Sequence, residues 1–317
     1  LSPICYFIKN IQNKSDENII NGIKLLTDNG SYMGIIGQES TCFRVWNENF
    51  PQYILCKYST EYVIDKIFSK YDINLPTGNE KSIFHHLVIR NFHKIIKKFM
   101  DNDNPYPSTL SFDEDDKGAM THMLLFRTDD KGFVPLHYAC SENVVGTLSS
   151  FEENEKLETV KVLIEEYEKF PRGRYLDETP IWLERLVSSI GNTLKITPIM
   201  QACISRLSII FKFLFDKLKP EDKIKLFKQK DIHGKTLLHI VCKNNDEKIF
   251  DILSPYIEED SFIVNMKDKE FCTPLHWAAM YNGNSTKLIE KLIKKRADIY
   301  SYNGMRLLPI HHAIKKG

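Results

Sequence analysis

Apolar residues recur along this chain in short blocks at helical spacing, and the blocks come in pairs. The stretch 268–293, DKEFCTPLHWAAMYNGNSTKLIEKLI, shows the pattern in full. Thr273 and Pro274 predict a helix start: a hydroxyl to cap free backbone N–H groups, then a proline at the first helical position, where no N–H is needed. Leu275, Ala278 and Ala279 fit the packed face of a short helix, which Asn282 and Gly283 break. Leu288, Ile289, Leu292 and Ile293 then recur on a second helix. Two short helices cannot bury those faces alone, so the unit needs neighbours.

The neighbours are written in the same register. Thr273-Pro274-Leu275-His276-Trp277-Ala278 aligns with Val134-Pro135-Leu136-His137-Tyr138-Ala139, Thr197-Pro198-Ile199-Met200-Gln201-Ala202, Thr236-Leu237-Leu238-His239-Ile240-Val241 and Leu308-Pro309-Ile310-His311-His312-Ala313. Ser82-Ile83-Phe84-His85-His86-Leu87 is a weaker copy. An acidic or amide residue three before a glycine marks a turn at Asp129 with Gly132 and at Asp231 with Gly234. Asn192, Asp268 and Asn303 keep only the first half, with Lys195, Phe271 and Arg306 in the glycine slot, which predicts distorted turns there. Arg296-Ala297-Asp298-Ile299 and Tyr71-Asp72-Ile73-Asn74 match a turn that ends a repeat.

These motifs resemble the ankyrin repeat, a β-turn followed by two antiparallel helices. The resemblance implies an all-α ankyrin-repeat solenoid of stacked helix-turn-helix units with β-turn finger loops, roughly six to eight repeats counting degenerate ones. Residues 1–76 are expected to hold degenerate helical repeats, and 77–317 the ankyrin repeats, with the array continuing beyond 317. The anchors at 129, 192, 231, 268 and 303 lie further apart than the usual repeat of about 33 residues. Insertions are therefore expected near 101–126, 141–156 and 170–191, the last packing a short helix over 181–186 against the stack.

Composition bounds the function. Lys+Arg 43 against Asp+Glu 42 in 317 residues argues against a nucleic-acid binder. Seven cysteines, odd in number and without paired spacing, suit a reducing, cytoplasmic setting. No apolar run is long enough to insert in a membrane, and no signal peptide is evident.

Candidate chemistry gives way to packing at each position. His137 with Cys140 and His239 with Cys242 have metal-like spacing, yet Cys203 and Ala279 fill the same slot elsewhere, which marks a small buried position. The adjacent pairs His85-His86 and His311-His312 point in different directions on a helix. Asp113, Asp115 and Gly118 begin like a calcium loop, but Lys117 and Leu124 stand where oxygen ligands belong. Gly30, Gly34 and Gly37 lack the lysine and hydroxyl of a phosphate loop. The basic runs 223–230 and 291–296 read as solvated helix faces. No catalytic, cofactor or metal site is expected.

The resemblance also implies that His137, His239, His276 and His311 steady adjacent turns by hydrogen bonding. It implies a partner-binding groove lined by fingers and first helices, with Phe133, Ile232, His233, Lys235, Lys243, Lys269, Glu270, Met280, Tyr281 and Met305 facing outward. The expected function is a non-catalytic protein-protein interaction module, a scaffold or adaptor whose partner protein the sequence does not specify. Two alternatives stand beside it: the cytoplasmic region of a membrane protein such as a transient-receptor-potential-like cation channel, and the substrate-recruiting region of a larger enzyme.

Overall fold

Threonine followed by proline or leucine opens the helices at Thr197-Pro198, Thr236-Leu237 and Thr273-Pro274, and left-handed residues stand at the ends of the first two, Arg206 with φ 56° and Asn245 with φ 51°. In a computed structural model the described residues are 6–7, 10–11, 14–28, 60–68, 83–100, 125–142, 150–169, 192–257, 262–281 and 286–316. They are helical, with no strand among them. The expectations placed on Gly30–Gly37, residues 50–55 and 71–74, the acidic run at 113–116 and the short helix over 181–186 lie outside the described residues. The chain divides into two compact units, Leu1–Ala139 with Glu158–Pro171, and Cys140–Leu157 with Arg172–Gly317.

In the first unit α1 (Asp16–Asp28) packs on α2 (Glu61–Phe68), burying Ile19 and Ile23 against Val63, Ile64 and Ile67. Helices α3 (Ile83–Ile89) and α4 (His93–Met100) form a hairpin closed at Asn91, whose φ is 57°. Short polar asparagine tolerates that conformation better than most residues. Glu61 Oε1 accepts from the Lys94 and Ile95 amides at the start of α4, at 3.1 and 3.4 Å. Helix α5 (Pro135–Ala139) packs on α3, and Tyr167 donates to the Leu125 carbonyl at 2.8 Å. Helix α6 spans Ser150–Lys169, so its opening turns occupy part of the stretch assigned to the 141–156 insertion.

The second unit holds the clearest stack. Its hairpins are α7 (Pro198–Ile204) with α8 (Ser208–Lys217), α10 (Leu237–Asn244) with α11 (Glu247–Leu253), and α12 (Pro274–Tyr281) with α13 (Lys287–Lys294). First helices pack on first helices, α7 on α10, α10 on α12, and α12 on α14 (Pro309–Lys316). Second helices pack on second helices, α8 on α11 and α11 on α13. Each layer buries what the apolar spacing predicts: Ile199, Leu238 and Leu275 on the first helices, and Phe211, Phe250 and Leu288 on the second. At about 25 cal/mol per Å² of apolar surface, a fully buried phenylalanine contributes roughly 2–3 kcal/mol that an isolated hairpin would forgo.

One helix departs from expectation. The basic run at 223–230 does not form a solvated face throughout, because Lys223 in α9 (Pro220–Lys228) is buried. Its ammonium donates to Tyr256 Oη at 3.2 Å and lies 4.8 Å from the Phe215 ring centre and 4.6 Å from that of Tyr256. The aliphatic stem is covered while two aromatic faces receive the charge. In the run 291–296, Lys291 pairs with Asp251 at 2.7 Å, and Lys295 donates to the Ile257 carbonyl at 3.1 Å. Both ties are made across the seam between repeats.

Candidate partner-binding site

Each finger is a turn wound around one anchor side chain. Asp231 Oδ1 accepts from the His233 and Lys235 amides, both at 2.8 Å, and Asp268 Oδ1 from Glu270 and Cys272, both at 2.9 Å. Asn303 Oδ1 does the same for Met305 and Leu307, and Asp129 Oδ1 for Lys131 and Phe133. These bonds satisfy amides that the turn would otherwise leave free.

The third position after the anchor is left-handed in every finger described. Gly132 and Gly234 have φ of 78° and 77°, and Lys195, Phe271 and Arg306 follow with 53°, 61° and 57°. The expected distortion is therefore absent. The anchor's bonds outweigh the roughly 1–2 kcal/mol that a side chain costs in this conformation. Fingers are also tied to one another: the Ile232 amide donates to the Leu194 carbonyl at 2.9 Å, Lys269 to His233 at 3.0 Å and Gly304 to Glu270 at 2.9 Å.

The histidines act as the resemblance implies. His239 Nδ1 takes the Thr236 amide at 3.0 Å and the Thr236 hydroxyl at 2.7 Å, while Nε2 donates to the Cys272 carbonyl of the next finger at 3.0 Å. His276 repeats this with Thr273 and the Leu307 carbonyl. His137 and His311 accept from the Val134 and Leu308 amides. His85 meets the Phe133 carbonyl at 3.2 Å, so the weak copy at 82–87 carries a working motif histidine. The threonine's role shifts accordingly. In Thr236 and Thr273 the hydroxyl faces the imidazole, whereas Thr197, followed three residues later by Met200 in place of the histidine, caps the Met200 amide at 3.2 Å. Burial pushes the His239 imidazole down from 6.5 to about 4, against the upward pull of the Cys272 carbonyl.

The cysteines paired with these histidines in sequence are packing residues. Cys140, Cys203 and Cys242 are free and buried, and burial raises each thiol above its ordinary range. Among the described residues no three His, Cys, Asp or Glu side chains are grouped to hold a metal ion.

The fingertip ladder brings Ile232, His233, Lys269 and Glu270 together, all exposed. Lys235 lies with Nζ 4.0 Å from the Trp277 ring centre, and Trp277 stacks on Tyr281 at 5.4 Å with the rings 8° from parallel. Trp277 Nε1 donates to Asp268 Oδ2 at 2.8 Å, which locks this cluster to the finger. Tyr281 is 43% exposed and Met305 78%, Lys243 is open on α10, and Met280 is half-buried. Phe133 belongs to the first unit, half-buried against His137 at 4.8 Å between ring centres. Its neighbour Tyr138 donates to Asp129 Oδ2, as Trp277 does to Asp268. Sequence reasoning passed over Trp277, although an aromatic at the motif position after the histidine was a usable signal. It also passed over Phe271, which is 59% exposed despite filling a turn slot.

Repeated hairpins, fingers wound on an Asp or Asn, and a histidine bridging one corner to the next define the ankyrin class. Residues 199–303 match the family described as ankyrin repeats (3 copies). Over 83 residues the chain is 34% identical to a putative ankyrin repeat protein of Rickettsia bellii (strain RML369-C). That match takes in 26% of this chain and 13% of the relative's own length. The crystal structure of an ankyrin repeat protein aligns with a TM-score of 0.49 and 14% identity, over 74% of this chain and 91% of that one.

Proposed function

We propose that this chain is a non-catalytic protein-interaction module, an ankyrin scaffold or adaptor that grips a partner protein with its fingers and first helices. The observation that carries this reading is the exposure of Ile232, Tyr281 and Met305 on elements whose own polar groups are already spent inward. Apolar side chains held on a rigid, hydrogen-bonded frame lose little entropy on contact, which is what an interface anchor requires. The free cysteines Cys140, Cys203, Cys242 and Cys272 support a reducing, cytoplasmic setting. Among the described residues no helix is long and apolar enough to cross a membrane.

Affinity capture with the 317-residue chain tests the reading, comparing wild type with Tyr281→Ala and Ile232→Ala. Loss of a captured protein by either variant, with helical content intact, is expected. Equal capture by all three proteins would end the assignment of this face.

A further inference from the structure

The fingers of residues 192–316 carry cations with no ion pair among the described residues. Lys195, Lys269 and Arg306 are exposed at the turns anchored by Asn192, Asp268 and Asn303, and Lys243 is exposed on α10. Together with Lys235 none of these has an ion-pair partner among the described residues. Lys291 on the second helix α13, by contrast, is shared between Asp251 and Glu247. Against the finger cations stands Glu270, the one exposed acidic side chain among the finger positions described in this unit. The Asp231 and Asp268 carboxylates are engaged by backbone amides, and Asp268 also by Trp277. A chain of net charge +1 thus presents a locally positive face interleaved with Ile232, Tyr281 and Met305.

Spacing says what such a face fits. Packed helices lie about 8–10 Å apart, and a peptide in the extended polyproline II form rises about 3.1 Å per residue with about three residues per turn, so one repeat corresponds to about three residues and every third side chain returns to the same face. We infer that this face takes an extended acidic peptide with a carboxylate at every third residue, one for each finger cation at Lys195, Lys235, Lys269 and Arg306, and an apolar side chain against Tyr281. The inference rests on the interaction reading above and adds the chemistry of the partner. The apolar anchors between the cations favour a peptide over a nucleic acid, whose phosphates would leave Ile232 and Met305 without contact.

Selection of a random 12-residue peptide display library on the full chain tests it. Enriched peptides are expected to be net acidic, with Asp or Glu at three-residue intervals and an aromatic or aliphatic residue between them. A synthesised winner, measured by fluorescence polarisation, should bind Lys195→Glu/Lys269→Glu about tenfold or more weakly than wild type. Both side chains are exposed, and unchanged circular dichroism shows that the variant is folded. Neutral or basic winners, no enrichment, or indifference to the charge reversal would overturn the inference. So would equal competition by a 12-nucleotide single-stranded DNA. If neutral winners are still lost with Tyr281→Ala, the interaction face survives and only the acidic chemistry falls. If winners ignore both Tyr281→Ala and Ile232→Ala, both fall.

Discussion

At the third position of each finger the backbone turns left-handed, and the side chain there decides how much that costs. Gly234 meets the requirement freely, and a Cβ built on it would lie 2.9 Å from the Lys269 amide nitrogen. Gly234→Ala therefore combines a disfavoured φ with a backbone clash, and a loss of about 2 kcal/mol is expected in urea unfolding. Lys195→Gly works the other way: it relieves the φ of 53° but loosens the unfolded chain, so a gain below about 1 kcal/mol is expected. A Gly234→Ala midpoint equal to wild type would show that the turn does not depend on its conformation. The sequence alone flags the glycine slot. It does not reveal that Lys195, Phe271 and Arg306 would accept the glycine conformation, because the bonds that impose it come from an anchor three residues earlier.

At the scale of elements, one device joins successive second helices. Glu153, in the first turn of α6, accepts from the Ile209 amide at 2.6 Å and the Ile210 amide at 3.4 Å at the start of α8. Glu61 at the head of α2 does the same for α4. A carboxylate there both satisfies open amides and faces the positive end of the helix. Glu153 is buried, so Glu153→Gln is expected to cost about 1–2 kcal/mol and to speed exchange at Ile209 and Ile210. Lys291→Ala, which breaks exposed seam pairs, should cost less than about 1 kcal/mol. Hydrogen exchange with paired urea titrations ranks the two. Equal losses would mean that the cap is no stronger than a surface ion pair. Helix starts and buried faces were legible in the apolar period. Glu153, separated by 56 residues from the amide it caps, was not, since no local pattern marks it.

Across the stack of 192–316, motif histidines make stability depend on pH. His239 binds its proton near pH 6.5 when unfolded and near 4 in the fold, so between those values the unfolded chain holds more protons. Its contribution is intact above pH 6.5, falls as pH drops through the window and is gone below about 4, a loss on the order of 3 kcal/mol. Burial lowers His276 and His312 in the same direction. Urea midpoints at pH 7 and pH 5 should show wild type weaker in acid, with His239→Gln starting lower at pH 7 but changing less between the two. An unchanged slope in the variant would remove His239 as the cause.

The sequence by itself determined the class of fold. A helical period in paired blocks, a repeated Thr-Pro-Leu-His register and an Asp or Asn before each turn are local properties, and stacking is the arrangement that buries every block. It also placed Ile232, Tyr281 and Met305 outward, because a repeat position keeps its direction from one unit to the next. Tertiary structure alone decided which charges remain available: Lys223 is taken up by two rings, Lys291 by two carboxylates, while Lys195 and Lys269 stay open. A lysine's fate depends on what the next repeat places within a few ångströms, and that distance is set only when the repeats stack.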